Sequence, residues 1–265
     1  MSGHDVPFGF VPVDGRRSLG KPRRTGLSMV IDDGLPFDYV ADVLRTSAAY
    51  IDLMKIKTGT ARLYPRELVR KLAAYRAAGV KPFIGGQFHE YVFATMGEAA
   101  LLRFYEEALA LGFQTIEISD NTVPLTPEQR HSQIASAVKA GLEVFGEVGS
   151  KETMSNPALL VEQARICFDA GASLVLVEAA ELIEQGRLRR DTLEVIRDGL
   201  PLDRVMIELP GPWIAGVRSC DIEDMKKAVM AAFGPDVNLA NIGVTTIYDT
   251  EALRTGLGTA GPWRD

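Results

Sequence analysis

One unit that recurs along the chain constrains the fold more than any other feature. A helical stretch ends on a small residue and glycine, and a β-branched apolar run begins directly after it. Glycine after the last helical turn is typical of a C-cap in the left-handed conformation. The clearest junctions are Ala78-Gly79, Leu111-Gly112, Ala140-Gly141 and Ala170-Gly171. The pattern therefore predicts that helix, cap and strand alternate along the chain.

Eight apolar runs are predicted to be strands, with a helical pattern in most of the gaps. The predicted strands are Leu27–Ile31, Tyr50–Ile56, Val80–Ile84, Thr115–Ile118, Glu143–Glu147, Leu174–Glu178, Val205–Glu208 and Asn238–Ile242. Near-continuous apolar strands that alternate with helices favour a parallel sheet covered on its outside. Eight of them predict an α/β fold, a single (β/α)8 TIM barrel. A doubly wound open sheet is the alternative, although no Gly-x-Gly-x-x-Gly follows the first strand.

The beginning of the chain differs from the rest. Residues 1–25 carry proline, glycine and basic pairs with little periodicity, so we expect an N-terminal arm ahead of a barrel domain over 26–265. The pairs Arg16-Arg17 and Arg23-Arg24 are expected to be solvated in this arm. A chain of 265 residues is long enough for one large barrel.

Charge and composition exclude several classes of partner. A net charge of −6 and a pI of about 5.3 argue against nucleic acid, because a phosphate backbone is bound by a basic face. No apolar run approaches a membrane span, and the polar start is not a signal peptide. Cys167 and Cys220 form neither a metal spacing nor a disulfide framework. We therefore expect a cytoplasmic protein whose partner is neither nucleic acid nor a membrane.

Four consecutive predicted strands carry a glutamate at their last or next-to-last residue. These residues are Glu117, Glu147, Glu178 and Glu208. In TIM barrels the C-terminal ends of the strands surround the active site. Carboxylates held in a ring raise one another's pKa unless a cation lies between them, and Mg²⁺ is the simplest hard ion for such oxygen ligands. A magnesium site is therefore predicted, in which not every glutamate need be a ligand. The alternative is a structural network of ion pairs.

Cations and glycines follow the strands at the same end of the barrel. Lys55 ends an apolar run, and Lys57 lies two residues on, on the same side of the strand. Lys151 comes shortly after the fifth strand, and Gly85-Gly86 permits close backbone approach after the third. Arg130 begins the helix after the fourth strand, where an exposed helix face is its alternative. Lysines and backbone amides around a metal suit a small anionic substrate, such as a phosphorylated carboxylate.

These residues together resemble the phosphosulfolactate synthases, a family with relatives in bacteria and heat-stress-associated relatives in plants. The resemblance extends from Gly26 to Gly258. It is carried by Met29–Asp32, Gly34–Pro36, Lys55, Gly59-Thr60, Gly85-Gly86, Glu90-Tyr91, Gly112-Phe113, Glu117–Asp120, Arg130, Glu147–Gly149, Lys151, Glu178, Glu208 and Val237–Ile242. It implies a (β/α)8 barrel that adds sulfite to phosphoenolpyruvate with Mg²⁺, a lyase that forms a C–S bond. The acid lysine proposed for the family falls on Lys151, which would protonate the enolate-like carbon.

The chain departs from the family pattern at the positions that bind anions. The family's Asp-Lys-Gly is Asp32-Asp33-Gly34 here, and its Lys-Phe-Gly-Trp-Gly-Thr-Ser is Lys55–Ala61, which gains Lys57. Its Glu-Gly-Arg is Glu178-Ala179-Ala180, which lacks the arginine, and its glutamine-rich segment is replaced by Gly211–Ile214. The metal and acid positions are kept while the anion positions are rebuilt, so the substrate stays open.

The function predicted from the sequence is Mg²⁺-dependent addition of a small nucleophile to an enol phosphate carboxylate such as phosphoenolpyruvate. The predicted roles are metal ligands at the four glutamates, catalysis at Lys151 and Lys55, and substrate binding at Lys57, Gly85, Gly86, Arg130 and Asn241. Two alternatives stay open: a Schiff-base aldolase that uses Lys55 or Lys151, and a non-catalytic stress or interaction protein on the same barrel. Barrels of this kind often self-associate, so a homo-oligomer is also open.

Overall fold

The computed structural model describes residues 7–64, 67–149, 156–184, 187–211 and 216–258. Within these ranges, eight parallel strands close into one barrel, each paired with its neighbours along the chain and the last with the first. The strands are β1 Ser28–Asp32, β2 Leu53–Ile56, β3 Lys81–Ile84, β4 Thr115–Ile118, β5 Glu143–Val148, β6 Leu174–Val177, β7 Val205–Glu208 and β8 Leu239–Ile242. The predicted (β/α)8 barrel is confirmed, and the open-sheet alternative is wrong.

Helices cover the outside of the barrel. They are α1 Phe37–Ser47, α2 Thr60–Leu63, α3 Glu67–Ala77, α4 Gly86–Met96, α5 Leu101–Leu111, α6 Pro127–Lys139, α7 Pro157–Asp169, α8 Arg190–Gly199, α9 Ser219–Phe233 and α10 Ile247–Arg254. Short 3₁₀ turns lie at Ala48–Tyr50, Glu98–Ala100, Ala179–Leu182, Leu202–Arg204 and Val244–Thr246, and Ile183–Glu184 pairs with Arg187–Leu188 in a hairpin. Across the described ranges, no helix has the length and apolar composition needed to cross a bilayer.

The predicted strand bounds agree closely with the structure. The predictions Thr115–Ile118 and Val205–Glu208 match residue for residue. The largest error is in the second strand, which was expected from Tyr50 and begins at Leu53. The preceding residues Ala48–Tyr50 turn as a 3₁₀ helix, in which the amide of Ile51 donates to the carbonyl of Ala48.

Alternation along the strands brings polar side chains to one end of the barrel interior. On β2, Leu53 belongs to an apolar layer inside the barrel, whereas Met54 and Ile56 pack against the outer helices. Lys55, with the same orientation as Leu53, therefore faces inward. The apolar layer is formed by Met29, Leu53, Phe83, Phe145, Leu174, Leu176, Met206 and Ala240. Most of the inward positions that follow toward the C-terminal strand ends are polar, with Ile31 of β1 as an apolar exception.

The glycine caps that suggested the fold adopt the predicted geometry. Gly112 has φ +98° in the left-handed region, and its amide donates to the carbonyls of Ala108 and Leu109 at the end of α5. A side chain at this φ would be strained. The chain thus leaves the helix within one residue and reaches β4 shortly after Phe113.

Two arginines of the N-terminal segment are buried, which corrects the expectation that both basic pairs are solvated. The guanidinium of Arg17 binds both carboxylate oxygens of Glu251, each at 2.9 Å, and Arg23 binds both oxygens of Asp52 at 2.9 and 3.1 Å. Arg16, by contrast, is exposed. One arginine of each pair therefore holds the segment against the N-terminal end of the barrel.

Candidate active site

A cavity of about 260 Å³ opens at the C-terminal ends of the barrel strands. It is lined by Ile31, Lys55, Lys57, Thr58, Gly85, Gly86, Gln87, Glu117, Glu147, Glu208 and Asn241. Most of the predicted site residues thus meet around one space, although they come from six different strands or the turns that follow them. This is the end of a TIM barrel at which active sites are found.

Three carboxylates lie together inside the cavity. Glu117, Glu147 and Glu208 each present an oxygen within 4.8 Å of the other two, and all three side chains are buried. They come from the ends of β4, β5 and β7, so the pairing of the barrel strands holds them in place. We call them the carboxylate trio. Three buried oxygens that converge in this way form a group that could hold a metal ion.

Lys55 lies between two members of the trio. Its Nζ is 2.8 Å from Glu117 and 3.1 Å from Glu208. Burial lowers the pKa of this ammonium, but the charges of Glu117, Glu208 and Glu147 outweigh burial and raise its pKa well above the usual value. Lys55 is therefore a persistent cation at the centre of the site.

The cation of Lys55 does not offset all the negative charge around it. Burial raises the pKa of Glu117, Lys55 lowers it, and Glu147 and Glu208 raise it again, which leaves a pKa of about 8. A carboxyl group with a pKa this high is surrounded by excess negative charge, and such a site favours the binding of a cation. Since the ligand atoms that the trio offers are all carboxylate oxygens, a hard divalent cation such as Mg²⁺ fits this site in charge and in ligand type.

The two glycines after β3 bring the backbone against these side chains. The amide of Gly86 donates to Glu117 at 2.8 Å. A Cβ at Gly86 would lie 2.1 Å from Oγ of Ser119, and one at Gly85 would lie 3.1 Å from Cε of Lys55. The close approach that the sequence suggested is therefore made to the side chains of the site itself.

Lys57 and Asn241 form the boundary to a second cavity. They line the first cavity and also an adjoining space of about 250 Å³, which is further lined by Asp33, Glu223 and Lys226 among others. Asn241 has φ +60°, a conformation that residues other than glycine adopt rarely and that clusters at functional sites. This second cavity is of mixed charge.

Arg130 is buried behind the site, so its alternative interpretation as an exposed helix residue is wrong. One of its amino groups donates to the backbone carbonyl of Glu147 at 2.8 Å, and the other pairs with Asp120 at 2.5 Å. It is not among the residues that line the 260 Å³ cavity. In this structure Arg130 supports the strand end that carries Glu147.

The fourth predicted glutamate, Glu178, lies apart from the trio. Glu178 is buried after β6, where its amide bonds to the carbonyl of Val148, and its side chain lies outside the group formed by the three carboxylates. A Cβ on Gly149 would lie 3.1 Å from Cβ of Glu178, so this residue packs against the turn after β5. Lys151 lies outside the residues that the structure describes.

The acidic end of the first strand has a structural environment. Asp32 points outward from the barrel, where Lys71 contacts it at 2.5 Å and the hydroxyl of Tyr75 donates to it at 2.7 Å. It also accepts the amides of Gly34 and Leu35. Burial, with the charge of Asp32, raises the pKa of Tyr75 above its ordinary range, so the phenol stays a donor. Asp32 thus fixes the turn between β1 and α1.

Sequence reasoning gave no site role to two residues that support the site, one in direct contact with Glu147 and one through the loop after β4. Asn121 donates its side-chain amide to Oε1 of Glu147, and Glu90 binds the same loop from α4. The signal for Asn121 was the polar run Ser119-Asp120-Asn121-Thr122 directly after β4. Nothing in the local pattern pointed to Glu90 as its partner, because the two are 31 positions apart in the chain.

A comparison with protein families matches residues 16–259 to the family described as (2R)-phospho-3-sulfolactate synthase (ComA). The match covers both the described barrel strands and the carboxylate trio. It confirms the resemblance seen in the sequence.

Individual relatives agree with the family match. The chain is 35% identical over 250 residues to a phosphosulfolactate synthase of Methanothermobacter thermautotrophicus, covering 90% of this chain and 92% of that protein. It is 28% identical to a phosphosulfolactate synthase of Bacillus subtilis, with 89% and 92% covered. It is also 21% identical to Protein HEAT-STRESS-ASSOCIATED 32 of Arabidopsis thaliana, with 88% and 87% covered.

Proposed function

The chain belongs to the (2R)-phospho-3-sulfolactate synthase family, and from that premise we propose that it adds sulfite, or another small nucleophile, to phosphoenolpyruvate or a related enol phosphate carboxylate. As a member of this family it is an enzyme of the lyase class. The observation that carries the proposal is the buried carboxylate trio, with Lys55 in contact with two of its members, at the mouth of the barrel.

Glu117, Glu147 and Glu208 are proposed to hold a divalent ion, with Mg²⁺ as its identity. Bound there, the ion would supply Lewis-acid stabilisation of the negative charge that develops on the substrate's oxygens. Glu178 is retained as a candidate that acts from outside the trio, through the turn after β5. The persistent cation of Lys55 lies where a substrate carboxylate would approach.

The proposed reaction forms one C–S bond and adds one proton to carbon. The lone pair of the sulfite sulfur forms a C–S bond to the terminal methylene carbon of the acceptor. The electron pair of the double bond moves to the carbon that bears the phosphate and the carboxylate, and a proton is then added to that carbon. Lys151, by family resemblance, donates this proton as the general acid. Lys55 stabilises the adjacent carboxylate while the charge develops.

Lys57, Gly85, Gly86, Arg130 and Asn241 are proposed to bind or to position the substrate's oxyanions. Lys57 and Asn241 stand between the two cavities, so they suit an acceptor that extends from the trio into the second space. Because that space carries both signs of charge, including Asp33, other enol phosphate carboxylates belong in the assay beside phosphoenolpyruvate.

The two alternatives make different demands on the site. A Schiff-base lysine needs a lowered pKa so that its amine is neutral, and the pKa of Lys55 is raised instead. A non-catalytic role would give the three buried carboxylates no function that offsets their mutual repulsion. The free thiols of Cys167 and Cys220 fit the reducing compartment that we propose, the cytoplasm.

The test incubates the protein with phosphoenolpyruvate, sulfite and Mg²⁺ and follows phosphosulfolactate by mass spectrometry. We expect product that depends on all three additions and that disappears when a chelator is present. No product with any enol phosphate carboxylate over a broad pH range would overturn the proposed reaction. Product that persists in chelator would overturn the role of the metal, and borohydride trapping of the protein on a carbonyl substrate would favour the aldolase.

A further inference from the structure

The loop after β4, residues 119–126, is tied to helix α4 by a single carboxylate. Glu90 is buried at 2% exposure, and its oxygens accept hydrogen bonds from five donors of this loop. The donors are the Ser119 and Thr122 hydroxyls and the amides of Asn121, Thr122 and Val123. Among the described residues, no lysine or arginine pairs with Glu90, so these donors alone satisfy a buried charge.

The same loop carries Asn121 to the carboxylate trio. The side-chain amide of Asn121 donates to Oε1 of Glu147. The other end of this side chain, Oδ1, is buried and has no hydrogen-bond partner among the described residues. A buried amide oxygen without a partner is costly, and amide oxygens are ligands of hard divalent ions, directly or through a bound water.

Helix α4 is therefore linked to two members of the trio, directly to Glu117 and through the loop to Glu147. Its first residue, Gly86, donates its amide directly to Glu117 at 2.8 Å. Glu90, one turn later, reaches Glu147 through the loop and Asn121. The first two turns of one helix thus support two of the three carboxylates that converge in the cavity.

We propose that Glu90 and Asn121 are positioning residues that set the affinity of the carboxylate trio for its divalent ion. The inference rests on the metal site of the proposed function. Groups that hydrogen-bond to metal ligands fix the ligand's orientation, and their loss typically lowers metal affinity or activity by about 10- to 100-fold. Asn121 fixes Glu147 in this way, and Glu90 fixes Asn121 by holding the backbone on both sides of it.

The test measures metal binding by the purified full chain, without substrate. Mg²⁺ is titrated calorimetrically, and Mn²⁺ is titrated with its electron paramagnetic resonance signal as an independent readout. Asn121→Ala removes the donor to Glu147 and leaves Glu90 in place, whereas Glu90→Gln replaces the acceptor of the two loop amides Thr122 and Val123. Glu107→Gln on α5, an exposed carboxylate on the neighbouring helix, is the matched control.

We expect Asn121→Ala and Glu90→Gln each to weaken the affinity for Mn²⁺ by about 10- to 100-fold, while Glu107→Gln binds like the wild type. Excess Mg²⁺ should then recover most of the turnover of Asn121→Ala. Should Glu90→Gln fail to fold, Asn121→Ala alone decides the question, because it leaves the loop anchored.

Wild-type affinity in folded Asn121→Ala would overturn the inference and leave the proposed function standing. A wild-type protein that binds neither ion would overturn both the inference and the metal site on which it rests.

Discussion

The two ends of the barrel both contain buried charges, but they balance them differently. At the N-terminal end, the buried arginines Arg17, Arg23 and Arg254 lie among Asp52, Asp236 and Glu251. At the C-terminal end, the charged residues that line the described cavity are the three carboxylates of the trio and two lysines, Lys55 and Lys57. Opposite charges are matched at one end, and one sign is in excess at the other.

The volume of a cavity does not indicate which end of the barrel carries the candidate site. The space at the N-terminal end is about 790 Å³, three times the 260 Å³ of the space at the mouth. Two pairs of opposite charge line it, the buried pair of Arg23 with Asp52 and the more exposed pair of Lys81 with Glu143, and Lys21 binds backbone carbonyls. Matched buried pairs hold structure together, whereas an unbalanced buried cluster costs stability and indicates a site kept for function. The excess of charge therefore supports the site proposed at the C-terminal end.

The largest effect is expected at Lys151, the proposed general acid. Lys151→Ala should lower turnover by about 10²–10⁴-fold, the usual scale for a lost general acid, because the carbon that gains the proton loses its donor. Mg²⁺ affinity and the urea midpoint of unfolding should stay at their wild-type values. Lys139→Ala, which removes a lysine from the last turn of α6, is the control. Near-normal turnover of Lys151→Ala on the substrate that proves active would leave Lys151 as a surface residue.

The N-terminal end should respond in stability and not in turnover. Asp52→Asn leaves the guanidinium of Arg23 buried beside a neutral partner, so we expect the free energy of unfolding to fall by about 3–5 kcal/mol. Urea denaturation measures this loss. Asp42→Asn, which breaks an exposed pair with Arg45, should cost less than about 1 kcal/mol. If Asp52→Asn were as stable as the control, the matched network would not be structural.

A substitution that removes one charge at the mouth should lower metal affinity and turnover but not stability. Glu147→Gln removes one negative charge from the excess and keeps an oxygen that can accept from Asn121. We expect metal affinity to fall by more than the loss of about 10- to 100-fold that is typical when a partner of a metal ligand is lost, and turnover to recover partly at high Mg²⁺. The free energy of unfolding without metal should not fall, since repulsion among the carboxylates is relieved. A destabilisation comparable to that of Asp52→Asn would contradict the contrast between the ends.

The sequence predicted the fold because its signals are local. The cap at Gly112 and the apolar run that follows it lie within a few residues of one another, and each strand-end glutamate directly follows or ends its apolar run. Period-two alternation then places Lys55 and Glu117 inside the barrel, and the parallel register places them near each other. These signals, together with the Gly85-Gly86 pair and the family resemblance that includes Asn241, predicted most of the residues that line the cavity.

What the sequence could not predict depends on contacts between distant residues. Arg17 meets Glu251 across 234 positions, and Glu90 meets the loop after β4 across about thirty, so neither pairing leaves a local pattern. Arg130 and Glu178 are at the expected end of the barrel, but the packing of α6 and of the turn at Gly149 determines where their side chains lie. Strand order alone does not fix those orientations.

The smallest effect, and the most direct measure of the charge excess, is the pH dependence of metal binding. The pKa of Glu117 is raised to about 8 from 4.5, chiefly by burial and by its carboxylate neighbours against the opposing effect of Lys55. The folded protein without metal therefore binds a proton that the unfolded chain does not bind between these values, so its stability should decline as pH rises across that window.

A metal ion must displace that proton to bind. We expect Mg²⁺ binding at pH 7 to release close to one proton, and the affinity to rise by about tenfold per pH unit up to about pH 8. Calorimetric titrations in buffers of different ionisation enthalpy count the protons released. Glu117→Gln, which carries no titrating carboxyl, should abolish the release while Lys55 stays charged. If the wild type released no proton, or if Glu117→Gln released one as well, the excess charge at the mouth would be neutralised in another way.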